Sequence, residues 1–517
     1  MRHSPNNARL YALLCTLVVV LGIFFRLWVF NSHESFWKDE AGLARNFLTH
    51  DFAHIADPFG DGQAIPIGYA QICKGFEHLL GHNEHAFWSV SLIAGSVLLG
   101  LSAILFGAIL PAGAALIALG ALAFDTTLIQ YSVEFKAYMM DSLAALLMAR
   151  AFFNYQTKGA HRNAVYLLSG VISLWISYVS VFIIAGLGLW QLWEAFNSHP
   201  LPTPSGRGRN TGSKDPVPLG GLRIIMARLC ARPFLRVLWV NTALASVFAV
   251  LWALNYRFLD ARGFFSGFWK DHFVPLPWQP GFIDWWTNTL PGIIGWLFGQ
   301  EQFLIWIFFV VLGLYRAWEI NRRLLALTFP ILLTLIAGAL HLYPVYDRLV
   351  LFWAVLLTPF LALGLFHVWE VFNKQYRTIT LAFALILVLP FLHPLHRLSH
   401  SHDSQQLKQV CMAVSRAARP GDTIYVHNRA AELYKYYFHR YPPVKGVKLV
   451  FGQKAETLSL APYLEKHFKG RHLYFMYTEP CYQPDEIDYL GRYTQARGEL
   501  KRDLDMNLAG AFELQLH

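Results

Sequence analysis

Residues 10–30 read LYALLCTLVVVLGIFFRLWVF, and residues 31–44 continue NSHESFWKDEAGLA. The first stretch is an apolar run of about twenty residues, enough to span a bilayer as a helix. The second therefore emerges at the membrane surface, carrying the adjacent carboxylates Asp39 and Glu40 beside Trp37, which reads as an interfacial anchor. Carboxylates held at that depth are well placed to take a proton from a hydroxyl while a lipid-borne substrate reacts beside them. The plain alternative is a pair of solvated charges at a helix end.

Composition decides the class. Of 517 residues, 55% are hydrophobic and only 15% charged, and mean hydropathy is +0.35. Such a chain is a polytopic membrane protein and not a large soluble core. A net charge of +10 would suggest nucleic acid in a soluble protein; here it is tested first as positive-inside bias. The N-terminal run is too long for a signal-peptide core and lacks a small-residue cleavage pattern, so it reads as retained. Cys15, Cys73, Cys230, Cys411 and Cys481 are scattered with no CxxC, which gives no zinc or redox motif.

Apolar spans fall at 10–30, 88–108, 110–126, 138–155, 164–178, 180–196, 236–254, 302–316, 324–341, 348–366 and 378–393, about eleven in all. Ser177, Tyr178 and Ser180 mark a tight turn between the fifth and sixth. A cytoplasmic N-terminus (Arg2, Arg9) assigns Arg150, Lys158 and Arg162, the run from Arg207 to Arg236, Arg316, Arg322 and Arg323, and Lys374 and Arg377 to cytoplasmic loops. Loop 31–87 on the other side is rich in Asp and Glu. The bias holds in every long loop and accounts for much of the positive charge without nucleic acid. An odd helix count puts the segment from about 394 outside the cytoplasm. The resulting organisation is an N-terminal transmembrane module at 1–197 with outer loop 31–87, a Pro/Gly/Ser-rich cytoplasmic linker at 198–235, a C-terminal transmembrane module at 236–396, and an extracytoplasmic domain at 397–517.

Four outward segments carry more polar groups than connectors need. Loop 31–87 holds Gln63 within QAIPIGY (63–69). Segment 125–141 holds Glu134, Lys136, Tyr138 and Asp141 at the mouth of a membrane helix, where charge is expensive unless it serves a site. The aromatic loop 255–300 holds Arg257, and the stretch HLYPVYDR (341–348) holds His341, Tyr343 and Arg348. An anionic pair with several separate cations on one face fits a phosphate leaving group opposite a general base. The plain alternatives are a solvated helix start at Glu134 and Lys136, a local Asp347–Arg348 salt bridge, and an interfacial belt in the aromatic loop.

The order of these motifs resembles the GT-C glycosyltransferases, in the branch of the protein O-mannosyltransferases and the lipid A aminoarabinose transferases. The resemblance rests on an outward Asp-Glu after the first helix, a Pro-containing amphipathic segment in that loop, Tyr-Ser-x-Glu-x-Lys-x-Tyr before the fourth helix, and His-x-Tyr-Pro…Arg in a late loop, over about residues 10–370. It implies Asp39 as catalytic base and Lys136 as a contact of the donor phosphate. Relatives often have Arg at the latter position, whose bidentate geometry Lys gives up. Many also place Arg at the start of the second helix, where this chain has Phe87 and Trp88.

The tail 400–517 reads as a compact parallel α/β unit: helices at 407–418, 430–441 and near 459–469, a turn into a strand at 420–427, and strands at 447–451 and 472–477. Cys411 and Cys481 are both in it, so a disulfide is open to them. His78 and His82, one turn apart, form a candidate metal pair without an accompanying ligand signature. No cofactor is assigned. A divalent metal is left open, with no Asp-x-Asp in the first outer loop to require it.

The expectation is a polytopic α-helical GT-C-like membrane protein with a small C-terminal α/β domain, in the bacterial inner membrane. Its activity is that of an inverting hexosyl or pentosyl transferase. It moves a sugar from a polyprenyl-phosphate carrier to a lipid, glycan or protein acceptor of the envelope, with membrane lipids as surroundings and no nucleic acid. Asp39 is the expected base; Glu40, Gln63, Glu134, Lys136, Tyr138, Arg257, His341, Tyr343 and Arg348 bind substrate. The runner-up is a transporter or flippase of lipid-linked saccharides, which would favour charged or broken helices near the bilayer midplane.

Overall fold

The computed structural model describes residues 5–33, 35–60, 63–155, 160–197, 228–258, 267–298, 303–375, 406–428, 430–452, 460–478, 484–497, 499–506 and 509–516. Its first part is helical: α1 (Pro5–Ser32), α2 (Lys38–Thr49), α3 (Ile67–Leu80), α4 (Glu84–Ile109), α5 (Ala112–Phe124), α6 (Thr126–Tyr131), α7 (Tyr138–Tyr155), α8 (Ala160–Ile176), α9 (Ser180–Asn197) and α10 (Arg232–Leu254). Beyond them come α11 (Leu290–Leu297), α12 (Phe303–Ile320), α13 (Thr328–Ala339) and α14 (Phe352–Gln375). Ten of the apolar stretches coincide with α1, α4, α5, α7–α10 and α12–α14, and the turn at Ser177 divides α8 from α9. The eleventh stretch, 378–393, and most of the linker, 198–227, are outside the described residues. Among the described residues five helices are long and apolar enough to cross a membrane: Ala8–Ser32, Glu84–Ile109, Arg232–Leu254, Arg322–Ala339 and Phe352–Phe372.

Burial sorts these helices by role. In Phe352–Phe372, 78% of the apolar window is buried, against 22% in Ala8–Ser32 and 17% in Arg232–Leu254. Helix α14 is thus the central post, while α1 and α10 turn Leu13, Phe24, Trp239 and Val250 outward, as lipid-facing helices do. Helix α12 lies very close on α14. A Cβ on Gly313 would stand 1.7 Å from the Phe360 carbonyl oxygen, and one on Gly364 2.0 Å from that of Phe309. Small residues at such crossings let two backbones touch where lipid offers no hydrophobic drive.

Within the first apolar run, Arg26 is completely buried. Helix α5 stops at Phe124 and α6 restarts beyond Asp125, whose carboxylate accepts the Leu128 N–H at 2.8 Å. That break frees the carbonyls of Leu122 and Ala123, and Arg26 donates to both at 3.1 Å. It also donates to Gly22 O and Ser132 Oγ at 3.0 Å each. A charge inside hydrocarbon is tolerated when protein groups take up its hydrogens in this way.

The tail comprises α15 (Leu407–Ala417), β1 (Thr423–Val426), α16 (Ala431–Arg440), β2 (Lys448–Phe451), α17 (Leu460–Phe468), β3 (His472–Thr478), α18 (Pro484–Ala496), β4 (Leu500–Met506) and β5 (Ala509–Gln515). The sheet order is β2-β1-β3-β5-β4. The expected parallel unit accounts for β2, β1 and β3, which pair in parallel through crossover helices. The sheet as a whole is mixed, because a C-terminal hairpin adds β5 antiparallel to β3 and β4 antiparallel to β5. Only two positions of sequence lie between the end of β4 and the start of β5, far too few for the crossover that parallel pairing needs. Cys411 is buried with a free thiol; Cys481 is outside the described residues. Helix α16 packs on α2, so the tail lies on the same face as loop 31–87.

Candidate active site

Asp39 and Glu40 begin helix α2, and do not sit on an irregular loop. Trp37 is the extended N-cap, and Glu40 Oε2 reaches back to accept its N–H at 3.1 Å, the reciprocal half of a capping box. Two acids in the first turn also suit the positive end of the helix dipole. Being adjacent on a helix, the two side chains point about a quarter-turn apart and meet different surroundings.

Glu40 turns inward, at 1% exposure. Its Oε1 accepts the Trp88 indole N–H at 2.9 Å and the Phe135 N–H at 2.5 Å. One carboxylate thereby ties α2, α4 and the 132–137 turn together. Burial pushes it up to about 7, and these hydrogen bonds and the charge of Lys136 oppose the shift only in part. Trp88 serves Glu40 as a neutral donor. Below it Phe36, Phe47, Phe87 and Phe135 form one aromatic cluster, with Phe87 stacked on Phe135 at 4.3 Å.

Asp39 turns outward and keeps 27% exposure, its Oδ2 lying 3.2 Å from Nη2 of Arg348. Arg348, second in the 3₁₀ turn Asp347–Val350, crosses to loop 31–87 for this pair and forms no ion pair with its neighbour Asp347. Its guanidinium lies over the Trp37 ring at 5.4 Å and the Trp269 ring at 5.9 Å. Trp37 is therefore a packing face for a cation, a cation–π contact. The Arg348 Nε is buried with no hydrogen-bond partner. Burial works against its charge, but Tyr138 and Asp39 hold it above the usual arginine value. Burial raises the carboxyl of Asp347, which is within electrostatic reach of His272.

Phe135 pins the turn between α6 and α7, and Ser91 Oγ donates to the Glu134 carbonyl at 2.5 Å. Lys136 Nζ donates to Gln63 Oε1 at 2.7 Å, which brings two separate motifs together. Burial lowers Lys136, while Asp39 counters that loss. Burial, followed by the neighbouring charge of Glu40, holds Glu134 well above the usual carboxylate range, and its Oε2 has no hydrogen-bond partner. The neutral form of Glu134 is thereby favoured, and around it stand the carboxyl groups of Asp39 and Glu40 and the cations Arg348 and Lys136.

The structure thus joins Asp39 to Arg348, Lys136 to Gln63, and both pairs to Glu40 and Glu134. Tyr138 is within electrostatic reach of Arg348, Asp39 and Glu134, and its ring meets Tyr131 edge-on at 5.6 Å. Tyr343 donates to the Leu349 carbonyl at 2.9 Å and packs on Phe182, shaping the turn that delivers Arg348. His341, at φ 57°, stacks on Phe273 at 4.7 Å. Arg257 is on an exposed 3₁₀ turn, Tyr256–Phe258, anchored by Tyr256 to the Leu174 carbonyl. Sequence reasoning missed Trp269, one of many aromatics in its loop with nothing to single it out. It also missed Arg26, although a charge inside an apolar run was signal enough.

The histidine pair does not form on a helix. Gly81, at φ 83°, ends α3 in a conformation that favours glycine, and His82 beyond it pairs with Glu77. Among the described residues no three His, Cys, Asp or Glu side chains converge on a point where a metal ion would bind.

No family model and no curated protein matches the sequence. Among solved structures, ArnT from Cupriavidus metallidurans bound to undecaprenyl phosphate aligns with a TM-score of 0.53 at 13% identity, over 99% of this chain and 98% of that one. The same protein in its apo state gives 0.49 at 14% identity, over 98% of each chain. The archaeal oligosaccharyltransferase AglB from Archaeoglobus fulgidus, in complex with an inhibitory peptide and a dolichol-phosphate, gives 0.48 at 12% identity, over 85% of this chain and 64% of that one. Over nearly its whole length, the chain has the fold of ArnT from Cupriavidus metallidurans.

Proposed function

We propose that this protein is an integral-membrane glycosyltransferase that moves a monosaccharide from a polyprenyl-phosphate carrier to an acceptor at the outer face. The observation that carries the reading is the Asp39–Arg348 pair at 3.2 Å. It sets a partly exposed carboxylate against a half-buried cation whose Nε–H is buried and uncommitted, in the fold of a protein that binds undecaprenyl phosphate. Asp39 takes the proton of the acceptor hydroxyl. The hydroxyl oxygen attacks the anomeric carbon, the bond from that carbon to the phosphate oxygen breaks, and the polyprenyl phosphate departs with inversion. Arg348 and Lys136 take up the charge that develops on the phosphate. Gln63 holds Lys136, and Tyr138 flanks the same space. Glu40 serves the site by fixing the helix start that presents Asp39.

Mass spectrometry of envelope glycolipids and glycans tests this directly, in cells carrying the wild-type gene, no gene, or Asp39→Asn. One glycosylated species should disappear without the gene and stay absent with Asp39→Asn. Removing a general base lowers the rate by about a hundred- to ten-thousandfold, and the variant protein should be present at normal level. A normal product in the Asp39→Asn strain would overturn the assignment of the base. No difference between the wild-type and deletion strains, in cells shown to make the protein, would overturn the reaction.

A further inference from the structure

The tail meets the first outer loop three residues before Asp39. The phenol oxygen of Tyr437 accepts the Phe36 N–H at 2.8 Å, and both residues are buried. Tyr436, the preceding residue on α16, packs its ring on Phe36 at 5.5 Å and on His82 at 5.6 Å. On the flank, Glu84 at the start of α4 is 1% exposed. Its carboxylate faces Lys408 at 3.5 Å and Arg440 at 3.4 Å, both from the tail, and Arg440 also donates to the His82 carbonyl at 2.6 Å. A buried carboxylate whose cations both come from another domain is an expensive contact to break.

We infer that the tail is a clamp on the loop that delivers the base, with Tyr437 as its positioning residue. Segment 35–37 is extended chain between α1 and α2, so its own secondary structure does not hold Phe36. Beside the ring packing of Phe36 on Phe87 and Phe135, two backbone N–H groups of the segment are held by side chains: that of Trp37 by Glu40, from within the membrane module, and that of Phe36 by Tyr437, from the tail. Together they set where α2 begins, and hence where Asp39 points. Tyr437 touches no reacting atom; it acts through Phe36. The clamp itself rests on contacts alone, and its effect on turnover rests on the proposed role of Asp39.

Tyr437→Phe in the full chain deletes the acceptor and keeps the ring. Tyr434→Phe is the control. The Tyr434 hydroxyl donates within the tail, to the Tyr477 carbonyl at 3.1 Å, so its loss loosens the tail without touching Phe36. Hydrogen exchange on the purified proteins should show the amides of 36–41 opening at least about tenfold faster in Tyr437→Phe and at the wild-type rate in Tyr434→Phe. In cells, product formation should fall about ten- to a hundredfold in Tyr437→Phe, the scale of a small misplacement of a catalytic group, with protein level and undecaprenyl-phosphate binding unchanged. Unchanged exchange at 36–41 in Tyr437→Phe, or equal acceleration in both variants, overturns the clamp. Faster exchange with full product overturns its role in positioning the base. The exchange result stands apart from the reaction, so failure of the glycosyltransferase reading (a normal product with Asp39→Asn) is distinguishable from failure of the clamp.

Discussion

At Asp39 about a quarter of the side chain is still open, whereas at Glu40 both carboxylate oxygens are taken by N–H donors. The difference has a pH signature. Burial raises Glu40 from 4.5 to about 7, so the folded state holds its proton more tightly than the unfolded chain does. The stability this provides is complete below pH 4.5 and is lost as pH rises through 7, on the order of 3 kcal/mol at most. The melting temperature of the wild type should therefore fall between about pH 5 and pH 8. In Glu40→Gln, which cannot ionise, the curve should be flatter; an equally steep fall would show that Glu40 is not the group responsible. Lys136 carries a dependence of its own. Its lowered value means that its charge is lost at a lower pH than for an ordinary lysine. Undecaprenyl-phosphate binding should weaken towards alkaline pH in the wild type and hold in Lys136→Arg, whose guanidinium stays charged. Lys136→Ala should lose about ten- to a hundredfold in affinity, the worth of one charged hydrogen bond, and titration calorimetry across pH reads all three proteins.

Helices α12 and α14 touch through glycine, and a side chain at Gly364 would overlap the Phe309 carbonyl. Gly364→Val should force the two apart, or fail to assemble at all. Fluorescence-detected size exclusion should show a shifted or aggregated peak and a melting temperature several degrees lower, while Gly120→Ala, where a Cβ meets nothing within 4 Å, should behave as wild type. Elements of this kind were legible where a single physical rule decides them. Apolar runs of membrane length became helices, and β1, β2 and β3 showed as short apolar strands between helical stretches. The hairpin did not show. Leu500–Met506 contains Lys501, Arg502, Asp503 and Asp505, and Ala509–Gln515 opens Ala-Gly-Ala, residues depleted in strands. They are strands because β3 offers an edge to pair with, which is a tertiary fact.

Over the whole molecule, the residue types of the site were readable and their partnerships were not. Asp39, Lys136 and Arg348 stand out because charge at a helix mouth needs a reason. That Arg348 crosses to Asp39, that Lys136 finds Gln63, and that Trp37 lies under a guanidinium all depend on separations of tens to hundreds of residues. Glu40 is the clearest case: its partners are at 37, 88 and 135, and only the assembled bundle gathers them. The tail was readable as a domain, but its grip on Phe36 comes from one tyrosine among 23 in the chain.

Arg26 has a consequence for biogenesis. Leu122, Ala123 and Ser132, three of its four partners, are made about a hundred residues after it. A freshly synthesised α1 has only its own Gly22 carbonyl to offer the guanidinium, and an unshielded arginine is among the least welcome residues in a nascent span, at about 2.5–3.5 kcal/mol. Arg26 is near the end of α1, which closes at Ser32, so the side chain can reach the nearby headgroups until 112–132 arrive and draw it inward. Insertion and stability are therefore opposed at this position. Arg26→Leu should raise the insertion efficiency of α1 in a glycosylation-mapping assay, yet lower the melting temperature of the finished protein by leaving two carbonyls and a hydroxyl dry. A variant that gained in both would mean that the first span matures independently of the chain that follows it.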